Sequence, residues 1–161
     1  MNRAPVRNCC WFVAALLAAC GNRVEPPPVA ARSFDDPGFV AAGEHELHYG
    51  AILAAELPDA VAAEYGIDPR MDTVIVNLSV LRHRSGQLPA SVDATVSGTW
   101  RDLIGEPVEL RFRAVTAGGA VSYVATAPVR NRQPIVLELR AQPVGSESRL
   151  TARITRQFDL Q

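Results

Sequence analysis

The chain has 161 residues, 48% of them hydrophobic and 20% charged, enough for one globular domain with a leader and a linker. A formal net charge of -1 gives nucleic-acid binding no electrostatic support. The three cysteines are Cys9, Cys10 and Cys20, so the body of the chain has neither a disulfide framework nor a cysteine metal site.

The first segment carries Arg3 and Arg7 and then an apolar run from Cys9 to Ala19 that ends in small residues. As a helix that run spans about 16 Å, roughly half of a bilayer core. It therefore reads as a signal peptide over 1–19 and not as a membrane span. Leu17-Ala18-Ala19-Cys20 resembles a bacterial lipobox. The resemblance implies lipidation at Cys20 and attachment to the membrane by several acyl chains, because one chain holds only reversibly. Gly21 rather than Asp follows the cysteine. The expectation is an envelope lipoprotein of the outer membrane, facing the periplasm. Residues 20–43 then read as lipidated Cys and flexible tether. Pro26-Pro27-Pro28 favours extended polyproline, and about 22 residues span roughly 25 Å as coil.

From Glu44 to the end, residues 44–161, apolar positions alternate with period two between regularly spaced prolines, the signature of strands. A first strand is expected from Glu46 to about Ala54. Val74, Val76, Leu78 and Val80 share one face of the next. The third presents Val92, Ala94, Val96 and Trp100. Leu110, Phe112 and Ala114 alternate with Glu109, Arg111 and Arg113, which predicts a half-buried strand with Phe112 inside. Gly118-Gly119 reads as a hairpin turn before Val121, Tyr123 and Ala125. Ile135, Leu137 and Leu139 form the sixth strand, and Leu150, Ala152 and Ile154 the seventh. In that last strand Arg156 shares the inward parity, which predicts a β-bulge near Thr155 to turn it outward. One short helix is expected over Pro58 to Tyr65, capped by Gly66 and packed through Val61 and Tyr65. The reading is all-β: an antiparallel β-sandwich of about seven strands, immunoglobulin-like in architecture, with an open barrel as the alternative.

His48-Tyr49, Val61-Ala62, Tyr65-Gly66-Ile67, Asn77-Leu78-Ser79-Val80-Leu81, Leu103 with Gly105, Leu110-x-Phe112-Arg113 and Tyr123 occur in that order. The ordered set, over about Glu44 to Asp159, resembles the bacterial family called domain of unknown function 4426. The resemblance implies an exported protein and no established activity. The chain departs from the family pattern in having Gly50 where Asn is usual, Leu57 where Thr is usual, and Ser122 where a second Tyr is usual.

Candidate chemistry is sparse. On a strand Glu44, Glu46 and His48 share a face and His45 points away. One histidine with two carboxylates makes a poor zinc set, and a polar strand start is the preferred reading, with no metal or cofactor. His48, Tyr49, Asn77, Arg113 and Tyr123 are polar positions inside the resemblance motifs. They read as a small-ligand pocket or as a structural hydrogen-bond network. The network is favoured, because a buried Asn77 would need a partner. All 16 basic residues are arginine, and they concentrate between Arg111 and Arg153. They could face an anionic envelope component or pair across strands with Glu109, Glu138 and Glu147. No Gly-x-Ser-x-Gly, phosphate-loop or dinucleotide motif occurs. The functional expectation is a non-enzymatic binding or scaffolding module. Its partners would be the membrane, an envelope protein or an anionic envelope component, and not nucleic acid. The alternative is a small-ligand or metal-binding domain, or a hydrolase, using the His45–Tyr49 region.

Overall fold

The computed structural model describes Asp36, residues 38–70 and residues 72–160, all within the unit Phe34–Gln161. The leader, Cys20 and the spacer up to residue 35 lie outside the described residues. In chain order the elements are β1 (Phe39–Ala42), β2 (His45–Leu53), a 3-10 turn over Ala54–Glu56, α1 (Asp59–Glu64), β3 (Thr73–Arg82), β4 (Ala90–Ser91), β5 (Ala94–Asp102), β6 (Val108–Glu109), β7 (Arg113–Ala117), β8 (Ala120–Pro128), β9 (Ile135–Pro143) and β10 (Leu150–Arg156). They form two antiparallel sheets. The first runs β1-β2-β3-β8-β7, and the second runs β10-β9-β5-β6. β3 pairs with β8 along Thr73 to Leu78, and with β4 at Leu81 and Arg82.

Alternation explains the core. Val74, Val76, Leu78 and Val80 of β3 are fully buried, and they share one cluster with Leu137 and Leu139 of β9 and Leu150 and Ile154 of β10. Each such side chain contributes about 1.5–3 kcal/mol over an exposed one. Among the described residues, the second buried cluster lies on the outward face of the first sheet, at one end. There Ile75 and Val124 are buried with Ala54 beneath Leu57, Tyr65 and Ile67. Six residues of α1 would not hold alone, so this packing sustains the helix. Pro58 is its N-cap and makes no side-chain cap bond. Gly66 (φ +56°) ends it, with Gly66 N–H donating to Ala63 O and Ile67 N–H to Ala62 O, a Schellman closure.

The sandwich agrees with the sequence reading, and six of the seven expected strands are found as β2, β3, β5, β8, β9 and β10. β1 and β4, of four and two residues, are additional. β1 lies within the stretch read as tether, so the ordered sheet begins before Glu44. Gly118 and Gly119, both at positive φ, turn β7 into β8 with Ala117 paired to Ala120, as expected of a two-residue hairpin.

Two expectations are corrected. The strand over Glu109–Ala114 is broken: β6 pairs with β5 in the second sheet, and β7 pairs with β8 in the first. The chain crosses the sandwich edge between them, which lets Leu110 and Phe112 both reach the core without one regular strand, and leaves Phe112 half-buried. The bulge at Thr155 does not form. β10 pairs regularly with β9 from Leu150 to Arg156 and then stops.

Candidate functional site

Strand parity sorts the five polar positions onto two faces. Tyr49 and Tyr123 lie in one row across Leu78, on the inward side. His48, Asn77 and Arg113 are on the outward side of the same sheet, Asn77 and Arg113 flanking Val124 in one row. The sequence expectation of one network among the five is therefore not met.

The inward tyrosines are each used locally. The Ala94 amide donates to the Tyr123 hydroxyl oxygen at 2.8 Å. The Tyr49 hydroxyl donates to Asp36 Oδ1 at 2.7 Å, and Arg156 Nη2 donates to Asp36 Oδ2 at 3.0 Å. The Gly38 amide donates to the same Asp36 Oδ1. Asp36 thus joins the entry of β1 to the end of β10, across the edge where the two sheets meet. Arg156 escapes burial this way: it stays at inward parity and takes a carboxylate at the edge. Burial, then the hydrogen bond to Asp36 and after it the Asp36 charge, pushes the Tyr49 phenol up to about 12.

On the outward face, Glu46 and His48 of β2 meet His83, just past β3. His48 Nε2 and His83 Nε2 both lie 3.0 Å from Glu46 Oε2. His83 is placed by its own amide, which donates to Glu44 O at 2.7 Å. The Phe39 ring stacks on the His48 imidazole, with centroids 5.5 Å apart. The His48 hydrogen bond foremost, with His83 behind it, holds the Glu46 carboxyl below the usual carboxylate range, against a smaller opposing effect of desolvation. Glu44 remains at the exposed β1–β2 turn. His45 faces inward at 5% exposure, and its Nδ1 has no hydrogen-bond partner among the described residues.

At the other end of this face a cavity of about 340 Å³ opens between the segment after α1 and strands β3, β7 and β8. Arg70, Arg113, Asp68, Thr73 and Thr126 line it. Arg70 is 3.4 Å from Asp72, whereas Arg113 makes no ion pair among the described residues. Asn77 is exposed, so it needs no buried partner. Of the expected cross-strand partners Glu109, Glu138 and Glu147, only Glu138 takes an arginine among the described residues: Arg153 faces it from β10 at 3.8 Å, while Arg140 stands beside it on the same strand at 4.0 Å, and Arg132 meets Asp159 outside the sheets at 2.7 Å.

Sequence reasoning missed Asp36 and His83. Asp36 sits in a proline- and glycine-bearing run without period. His83 follows β3 by one residue and reaches Glu46 only through the β2–β3 register, in which Glu46 pairs with Leu81.

Comparison with curated proteins gives no match. A crystal structure of a DUF4426 family protein from Pseudomonas aeruginosa is similar, with a TM-score of 0.64 at 23% identity, over 78% of this chain and 98% of that one. A copper-bound variant of FetP from uropathogenic Escherichia coli has a TM-score of 0.48 at 14% identity, over 76% of this chain and 93% of that one, too distant to bear on this chain. The family model for the domain of unknown function DUF4426 matches residues 39–159, which span the two sheets from β1 to the segment after β10, and the chain belongs to that family.

Proposed function

We propose that the chain is a bacterial envelope lipoprotein, anchored through Cys20, whose sandwich is a non-enzymatic binding module for an anionic envelope component. One observation carries the binding reading. The tyrosines that face the interior are already bonded within the fold, whereas Arg113 makes no ion pair among the described residues and lines an open cavity with Asp68, Arg70, Thr73 and Thr126. A guanidinium with hydroxyls beside it suits carboxylate or phosphate groups. The lipobox-like Leu17–Cys20 supports the anchor and, with it, a periplasmic partner.

Two measurements test this. Wild-type protein should enter the detergent phase on phase separation and Cys20→Ala should not; equal partitioning would remove the anchor. The chain should cosediment with isolated cell-wall sacculi in a salt-sensitive manner, and the Arg70→Ala/Arg113→Ala variant should lose most of that binding. Unchanged sedimentation of the variant would sink the anionic-partner reading.

A further inference from the structure

We infer that Glu46, His48 and His83 form a binding site for a divalent transition-metal cation of the zinc type. The inference stands apart from the anionic-partner reading, because it concerns the opposite end of the sheet face and other residues.

Three donors of the right kind meet there. Two imidazole nitrogens and one carboxylate are the borderline set that zinc and its neighbours take. Both Nε2 atoms stand 3.0 Å from the same oxygen, that of His48 in a hydrogen bond. With metal–ligand bonds of about 2.0–2.1 Å, tetrahedral ligands stand roughly 3.3 Å apart. Each nitrogen is therefore within a few tenths of an ångström of the spacing from the carboxylate that coordination needs. Among the described residues no three such side chains already encircle a common point. The carboxylate instead holds the His48 ring in a hydrogen bond, with the His83 nitrogen beside the same oxygen.

That arrangement can open. The side chains of His48 and His83 are 40% and 43% exposed, and Glu46 is 24% exposed, so the rings can swing towards a cation on the solvent side. The backbone need not move. β2 and β3 are locked in register, and the His83 amide is held by Glu44 O. Stacking on Phe39 orients one ring from outside the donor set, the supporting role that outer partners play in metal sites. Coordination takes Nε2 unprotonated, so each ring carries its proton on Nδ1 when the cation is held. Water would fill the remaining position.

The test is zinc titration by calorimetry of the full chain in detergent, with Cys9, Cys10 and Cys20 changed to Ala so that no thiol competes. One zinc per chain is expected. Loss of an outer-shell partner costs about 10–100-fold, so His48→Gln, His83→Gln and Glu46→Gln should each weaken binding at least tenfold. All three sites are partly exposed, so the variants should keep the wild-type circular dichroism. The double variant His48→Gln/His83→Gln leaves only the inward-facing His45. Absence of zinc binding by the starting chain, or binding unchanged in the double variant, overturns the inference.

Discussion

Asp36 accepts hydrogen bonds from a tyrosine, an arginine and a backbone amide that sequence separates by up to 120 residues. Removing it strands the Tyr49 hydroxyl and the Arg156 guanidinium at a partly closed edge. Asp36→Ala should therefore cost about 1–3 kcal/mol, read as a lower urea midpoint with an unchanged slope. A loss indistinguishable from zero would mean that solvent serves both groups equally well. Tyr49 gives a second readout. Its folded pKa, raised to about 12, lies above the ordinary value of 10. The associated stability is complete below about pH 10 and is lost as pH rises through about 12. The difference in phenolate absorbance between wild type and Tyr49→Phe should titrate near 12, and a midpoint near 10 would contradict the Asp36 contact. The sequence made Arg156 visible as a charge at inward parity, but it could not show its partner. Asp36 lies outside any periodic segment, and a side-chain bond across 120 positions leaves no local trace.

Two glycines, one in each sheet, illustrate what an element tolerates. Gly50 of β2 pairs with Asn77 on the outward face, and a Cβ there would meet nothing within 4 Å. Gly98 of β5 faces inward, and its Cβ would stand 2.9 Å from Glu138 O, 3.1 Å from a Leu139 methyl and 3.3 Å from the Phe112 ring. Gly50→Thr should stabilise by about 0.5–1 kcal/mol, since a β-former replaces the most flexible residue in a strand. Gly98→Ala should destabilise by about 1–3 kcal/mol through overpacking against backbone that cannot yield. Thermal melts of both variants decide it, and opposite signs are required. The same contrast explains what was legible in the elements. Period two marks each long strand because one face meets the core. It could not mark the crossing between β6 and β7: Leu110 and Phe112 go inward on either account, and only the pairing partners reveal that the sheet has changed. The candidate site suffered in the same way. Parity correctly separated His45 from Glu46 and His48, but which residues neighbour them depended on register with β3.

At the scale of the molecule the question is where the folding unit begins. The alternation becomes obvious only at Glu46, which places the boundary at Glu44, yet β1 precedes it and pairs with β2 through four residues, Phe39 to Ala42. β1 escapes notice because two of its four residues are alanine and its ends are Gly38 and Gly43, both at positive φ. Its loss would remove the ladder to β2, the packing of Val40 and Ala42 on the core, the Phe39 ring on His48 and, with the residues before it, the Asp36 link to β10. β2 would then become an open edge, with unpaired backbone donors and acceptors. A chain beginning at Phe34 should melt close to the full chain. One beginning at Glu44 should lose several ladder hydrogen bonds of about 0.5–1.5 kcal/mol each, lowering Tm on the order of 10–20 °C. It should also scatter light increasingly with concentration as β2 edges pair between molecules. If both truncated chains melt together, β1 is an accessory to the sandwich, and the boundary belongs at Glu44. If only the shorter one falls, the strand hidden in the apparent spacer is part of the cooperative core, and any tether ends before Asp36.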